Sequence, residues 1–491
     1  MANETLKSLG KRICDEYLGF IPTSNSTKPP DIANGLFRAC TGETCDTHDV
    51  HEWLLNDGKK EAISSEKLIE DYADILENGF NEKPSNLKQF RYFLNEIFDQ
   101  DNTLYPNYKF SVMLLSSHWM IKKRLNSEAR IGDFIFEILS KKINGKRSPI
   151  IEILVEALSN DTDDLTKLVK PIIAYPSDKE KRTIEGVQFP EDGTIRWDSC
   201  KNAIRQGFDH LAENIVFTGE SRNSLLVLRR IVNFSMLGTF LYLAQGNAAL
   251  YGEALPPIVL DSGAELESIK VASEQTYTLA KKTVEDFFIN SLDVILREEI
   301  GKNTNANCRK WIDGMILPSA KEEEIKSAIT SYYESFLHEG DSARMALAKA
   351  LQIALYTFEY KSNSPSAFCR VLGVRCGLVG PKGNRANIKR YLINSFTLET
   401  LTLSALDVED LRVGIEFKDL SDRFIKAYNV LIGADAENEY ALLERYNIAQ
   451  ATPGDLRGDL SLNAQCFANT YISLGLGKRY ADGVTLIGWR L

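Results

Sequence analysis

The stretch LGKRYADGVTLIGWRL, Leu476–Leu491, places Asp482-Gly483 between Lys478-Arg479-Tyr480 and Val484-Thr485-Leu486-Ile487. An Asp-Gly step flanked by residues of high strand propensity is a strong local signal for a β-hairpin, because glycine accepts the positive φ that tight hairpin turns need. Working outward from it, four helical patterns precede the hairpin: Phe396–Leu406, Phe417–Tyr428, Asn438–Tyr446 and Pro453–Leu474. Several short helices closed by a hairpin have the outline of a winged helix, in which one helix enters a major groove and the wing touches the backbone. Arg457, Lys478, Arg479 and Arg490 supply cations for phosphate contacts there. Opposing this, Asp455 and Asp459 sit on the last helical pattern and residues 407–444 are strongly acidic. DNA contact and protein docking both stay open for this unit.

Immediately upstream, residues 361–398 read KSNSPSAFCRVLGVRCGLVGPKGNRANIKRYLINSFTL and carry Lys361, Arg370, Arg375, Lys382, Arg385, Lys389 and Arg390 with no Asp or Glu. At the average acidic density of the chain a segment of this length would hold about five carboxylates. A basic, glycine-rich stretch in an acidic protein is a candidate surface for polyanions. The expectation is that Arg370, Arg375, Lys382, Arg385, Lys389 and Arg390 contact phosphates, with Gly377, Gly380 and Gly383 letting the backbone approach. The competing reading is a basic loop that pairs with acidic faces of neighbouring elements.

Composition sets the outer bounds. A length of 491 residues suggests about two to four domains. The hydrophobic share of 44% and charged share of 26% are those of a globular protein. A net charge of −10 means that any contact with nucleic acid or an anionic membrane must come from a local patch. The longest apolar run, Ile231–Ala244, contains Asn233 and falls short of the roughly 20 residues a membrane span requires, so a buried helix is expected. With no secretory signal in MANETLKSLGKRICDEYLGF, a cytoplasmic protein is expected. The cysteines, eight in all, are then expected as reduced thiols.

In the N-terminal part, FRACTGETCDTHDVHEWLL brings Cys40, Cys45, His48 and His51 together. Thiolates and imidazoles are the ligands tetrahedral zinc prefers, and the C-x4-C-x2-H-x2-H order provides four of them. With so short an arm between the pairs, the backbone would have to wrap tightly. The alternative is a helix from His48 to Leu55 capped by Asp46 or Thr47. From Ser65 to about Leu168 apolar residues recur at steps of three and four, the period of amphipathic helices. His118 beside Trp119 fits a packing position there. Residues 171–200, with Pro171, Pro176, Pro190 and Asp192-Gly193, read as a connection with short β pieces. Glu185, Glu191 and Asp192 do not form a nuclease-like carboxylate set. A second helical block follows to about Thr357, interrupted by PPIVLDSG, Pro256–Gly263, where Ser262 is expected to cap a helix running from about Ala264 to Glu299.

The segment Ala367–Leu491 resembles bacterial proteins of anti-phage defence islands that accompany DNA-translocating or restriction ATPases. LGVRCGLVGPKGNRANIKRY, the helix with LETLTLSAL and RYADGVTLIG carry the resemblance. It covers about a quarter of the chain, implies an accessory subunit working beside an ATPase, and transfers no catalytic residue. The fold expected is mainly α and multidomain: an N-terminal helical domain at 1–170, a connection at 171–200, a second helical domain at 201–360, and the basic loop with a winged-helix-like unit at 361–491. The function expected is a non-catalytic assembly or DNA-engaging subunit of a larger prokaryotic complex, binding protein partners and double-stranded DNA, without a membrane or a cofactor. Two alternatives stand beside it: a metal-dependent hydrolase centred on the Cys/His cluster, for which zinc is the candidate ion, and a protein-docking scaffold.

Overall fold

The computed structural model describes residues 5–22, 27–42, 85–86, 89, 124, 126–159, 187–190, 196–382, 388–481 and 483–490. The protein is mainly helical, as its periodicity predicts. The N-terminal elements are α1 (Leu6–Arg12), which widens into a π-type turn at Ile13–Leu18, then α2 (Pro29–Thr41), α3 (Ile131–Ser140) and α4 (Ile150–Ser159). Next come α5 (Ser199–Thr218), α6 (Ser224–Tyr251), α7 (Glu267–Ile300), α8 (Asn305–Asp313), α9 (Glu322–His338), α10 (Ala343–Ala354) and α11 (Pro365–Cys376). The C-terminal helices are α12 (Ser395–Ala405), α13 (Val408–Val413), α14 (Phe417–Tyr428), α15 (Ala436–Arg445), α16 (Ile448–Ala451) and α17 (Leu456–Ser473).

The mast of the structure is α6, on which α2, α4, α5, α7, α11 and α12 pack. Asn223 starts it by accepting a hydrogen bond from the Leu226 N–H, and Gly252 in the left-handed region ends it. It is the described helix long and apolar enough to cross a membrane, yet 83% of its most apolar window is buried inside the protein. Four of its buried polar residues, Asn233, Ser235, Thr239 and Gln245, donate to carbonyls within reach, which offsets the cost of placing them in a core. The Ser235 hydroxyl donates to Ile231 O at 2.8 Å and Thr239 to Ser235 O at 2.7 Å. Asn233 donates to Cys376 O at 2.9 Å, closing the end of α11. Gln245 donates to Pro256 O at 3.0 Å and Tyr428 O at 2.7 Å, tying the end of α14 to the mast.

Strands are few and short. β1 (Ile258–Val259) and β3 (Val430–Leu431) form a parallel pair in the register Ile258↔Val430. β2 (Ile415–Glu416), β4 (Gly477–Arg479) and β5 (Thr485–Ile487) form an antiparallel sheet in the order β2-β5-β4. The hairpin predicted around Gly483 is β4–β5, with Gly483 at φ 87° and the Tyr480 N–H donating to Val484 O at 2.9 Å.

One continuous cluster of buried residues runs from Leu6 to Ile487. The packing of α11 and α12 on α6 carries that core across position 360, where a domain boundary was expected; the connection at 171–200 falls mostly outside the described residues. A second, smaller cluster joins Val259 and Ile269 to Leu431, Leu443 and Leu460.

One expectation is corrected. Ser262 does not cap α7, which begins at Glu267 with Leu266 before it. Asp261 instead folds back to accept the Gly263 N–H at 2.7 Å, and the Ser262 N–H is taken by Asn463 Oδ1 at 2.9 Å. This short Asx-type turn diverts the chain for several residues before a helix can start.

Candidate nucleic-acid interface

The basic stretch folds first as α11. Ser364 accepts the Ala367 N–H and Pro365 occupies the first helical position, where its missing N–H costs nothing. Gly377 ends the helix at φ 83°, and a Cβ there would sit 1.9 Å from Asn394 Nδ2. Its glycine is therefore required by packing. Gly380 and Arg390 then exchange two backbone hydrogen bonds of 3.0 Å, closing the loop between them.

Within this frame the cations divide. Arg370 and Lys382 are exposed. Arg390 Nε donates to Asp261 Oδ2 at 2.5 Å, where the carboxylate side chain is 1% exposed. Lys389 is buried and its ammonium donates to the Pro381 carbonyl; burial, helped by the nearby Arg370 charge, lowers its pKa. Arg375 is half-buried, its pKa lowered by desolvation and partly restored by Asp31. Arg385 and Gly383 lie outside the described residues. The charges of the stretch thus divide: some serve interior contacts and others face water.

The loop is held at the C-terminal ends of the parallel strands. The Asp261 N–H donates to Tyr391 O at 2.8 Å, and the Tyr391 N–H to Ser273 Oγ at 2.8 Å. Asn463 of α17, fully buried, donates to Leu260 O at 2.9 Å and Ile432 O at 3.2 Å while accepting from Ser262. Glu439, also fully buried, accepts from Gly433 N at 2.7 Å, Ser421 Oγ at 2.9 Å and Asp435 N at 3.3 Å. Burial pushes its carboxyl up to about 7, against the lowering by those donors.

Fixing one face of α17 this way exposes the other. Arg457, Ser461, Gln465, Asn469 and Ser473 recur every four residues on the solvent side, with Leu462 beside them. Four-residue steps line up on one helix face. Between Asp459 and Asp482 the chain has no carboxylate, and the Asp459 side chain accepts the Ser268 hydroxyl at 2.5 Å. This stripe was legible as a four-residue spacing inside an acid-free window, but it is neutral and a search for charge passes over it.

At its ends the stripe meets cations. Arg457 lies over the Tyr440 ring at 4.2 Å and 3.7 Å from Glu437. Arg479 reaches back from β4 to donate to Asn469 Oδ1 at 2.9 Å. Lys478 is exposed near the Tyr480 ring, and Arg490 is exposed on the segment after β5. Chemically the surface offers amide and hydroxyl groups flanked by guanidinium and ammonium groups.

Of the zinc candidates, Cys45, His48 and His51 lie outside the described residues. Cys40 sits fully buried near the end of α2, where desolvation pushes its thiol up. Among the described residues no group of three or more His, Cys, Asp and Glu is placed to hold a metal ion. No protein-family model and no curated protein matches the chain.

Proposed function

We propose that this protein is a non-catalytic, DNA-engaging subunit of a larger complex, with α17 laid against a major groove and the β4–β5 hairpin against the adjacent backbone. The single observation that carries the reading is the exposed stripe Ser461, Gln465, Asn469 and Ser473 with Lys478 and Arg479 beside it. Amide side chains pair with adenine edges and hydroxyls with several bases, while flanking cations fix the register through phosphates. A winged-helix reading is supported by the order β2-β5-β4 and by α17 leading directly into the hairpin. A departure from the simplest winged helix is the insertion of β3, α15 and α16 between α14 and α17. A partner ATPase and a role in anti-phage defence follow from the resemblance of residues 367–491 alone.

The test is binding of the full chain to labelled duplex DNA across a salt series. Wild type is expected to bind with an affinity that falls steeply with salt. Lys478→Glu/Arg479→Glu is expected to weaken binding to all sequences and to reduce the salt slope by about two, one for each lost phosphate contact. Absence of wild-type binding at low salt would sink the reading.

A protein-docking role has its own support. Val216 at the end of α5 and Val413 at the end of α13 are 59% and 64% exposed, on helices that touch one another. Under that reading Val216→Asp/Val413→Asp abolishes complex formation and leaves DNA binding of the isolated chain unchanged or absent.

A further inference from the structure

Away from α17, a groove of about 720 Å³ opens between α7 and the first turns of α11, closed at one side by Ile388 and Lys389. That is within the range of small-molecule pockets. Three cations contribute to its walls: Lys281 from α7, Arg370 from α11 and Lys389 from the returning loop. Glu274 is the acidic residue lining it. Arg370 is exposed and forms no ion pair with the described residues. Gathering cations this way repels them from one another, a cost that an anionic ligand would remove. The positive end of the α11 dipole adds to the same field.

The independent observation is Tyr277. It lines the groove and is only 2% exposed, and its hydroxyl has no hydrogen-bond partner. A buried hydroxyl left unpaired is costly, and this one is closed to solvent as well, so an acceptor arriving with a ligand would relieve that cost once a small side-chain shift opens it to the groove. The Lys281 ammonium lies 5.3 Å from the centroid of the same ring. Ile388, 61% exposed at the lip, supplies an apolar surface that a bare inorganic anion would not need.

We propose that this groove binds an organic phosphate of nucleotide size, its phosphate held by Arg370, Lys281 and the Tyr277 hydroxyl and its apolar part resting against Ile388. The site stands apart from α17, so its success or failure does not depend on DNA engagement through that helix.

The experiment is calorimetric titration of the full chain with ADP, and with adenosine and inorganic pyrophosphate as the two halves of its chemistry. ADP is expected to bind saturably, with adenosine at least about tenfold weaker, since the charged contacts are lost. Arg370→Glu is expected to weaken ADP at least about tenfold, and Tyr277→Phe, which keeps the ring, by about three- to tenfold. Arg370 is exposed, and an unchanged thermal melt of its variant confirms the fold. No saturable ADP binding up to about 1 mM, adenosine binding equal to ADP, or an unaffected Arg370→Glu variant would each overturn the proposal. Displacement of ADP by a short DNA duplex in a wild-type sample would overturn it too, assigning the groove to backbone phosphates instead.

Discussion

The basic stretch 361–398 and the terminal segment 456–490 exchange roles between sequence and structure. The first concentrates cations, yet Arg390 is spent on Asp261, Lys389 on the Pro381 carbonyl, and Arg375 is half-buried near Asp31. The second has a plain composition, yet α17 turns a full stripe of Ser461, Gln465, Asn469 and Ser473 to solvent. What differs is where each is anchored. The basic loop returns to the end of β1, where the Arg390–Asp261 pair adds to backbone hydrogen bonds, whereas α17 is fixed through Asn463 on its inner face and turns its outer face to solvent, with Asn469 Oδ1 taking the Arg479 guanidinium. Charge density along a chain therefore measures potential contacts, and the packing decides which of them remain free.

The largest expected effect separates two cations of the same loop. Arg390→Ala leaves the Asp261 carboxylate buried without its cation, a loss of about 3–5 kcal/mol. Lys382→Ala, at an exposed position, is expected to stay within about 0.5 kcal/mol. Urea unfolding of both variants measures the contrast directly. Equal, small losses would mean that the Arg390–Asp261 pair does not anchor the loop and that the division between interior and free cations is wrong.

A second contrast concerns the two carboxylates that follow the adjacent parallel strands. Asp261, after β1, has a guanidinium; Glu439, which holds the loop after β3, has only neutral donors. Its carboxyl, raised by burial to about 7 from an ordinary 4.5, keeps a proton in the folded state that the unfolded chain has lost. Between pH 4.5 and 7 the folded state thus binds more protons, and stability falls as pH rises through that window, reaching its full penalty above 7. The gap corresponds to about 3 kcal/mol. Glu439→Gln, which cannot ionise, is expected to flatten this component. Urea midpoints for the two proteins from pH 4.5 to 7.5 are therefore expected to diverge as pH rises; parallel curves would show that Glu439 does not titrate in the window given by its burial.

How far the sequence could carry these distinctions follows from the range of each interaction. The helix Phe417–Tyr428 and the hairpin at Gly483 are local: their period or turn chemistry lies within a few residues, and each is found where it was expected. The pairing of Ile258–Val259 with Val430–Leu431 is two residues long on each side and far apart in the chain, too short for any alternation to register. Arg390 and Asp261 are separated by 129 positions, so nothing near Arg390 marks it as an interior cation. Asn463 and Gln465 are both ordinary helix residues in sequence, and only the strand ends beneath Asn463 distinguish them.

That last pair supplies the smallest and most discriminating test. Gln465 stands two positions along α17 from Asn463 but on the opposite, exposed face. Gln465→Ala removes no interior hydrogen bond, so its unfolding free energy is expected to change by less than about 0.5 kcal/mol. If the outer stripe reads base edges, the same substitution costs about 1–3 kcal/mol of discrimination at one position of a preferred site and leaves the salt slope untouched, because no phosphate contact is lost. Selection of preferred duplexes from a randomised pool, repeated with the variant, measures that loss. A preference unchanged by Gln465→Ala, beside a salt slope reduced by Lys478→Glu/Arg479→Glu, would place the hairpin on DNA and take the helix out of the groove, narrowing the interface to its cations.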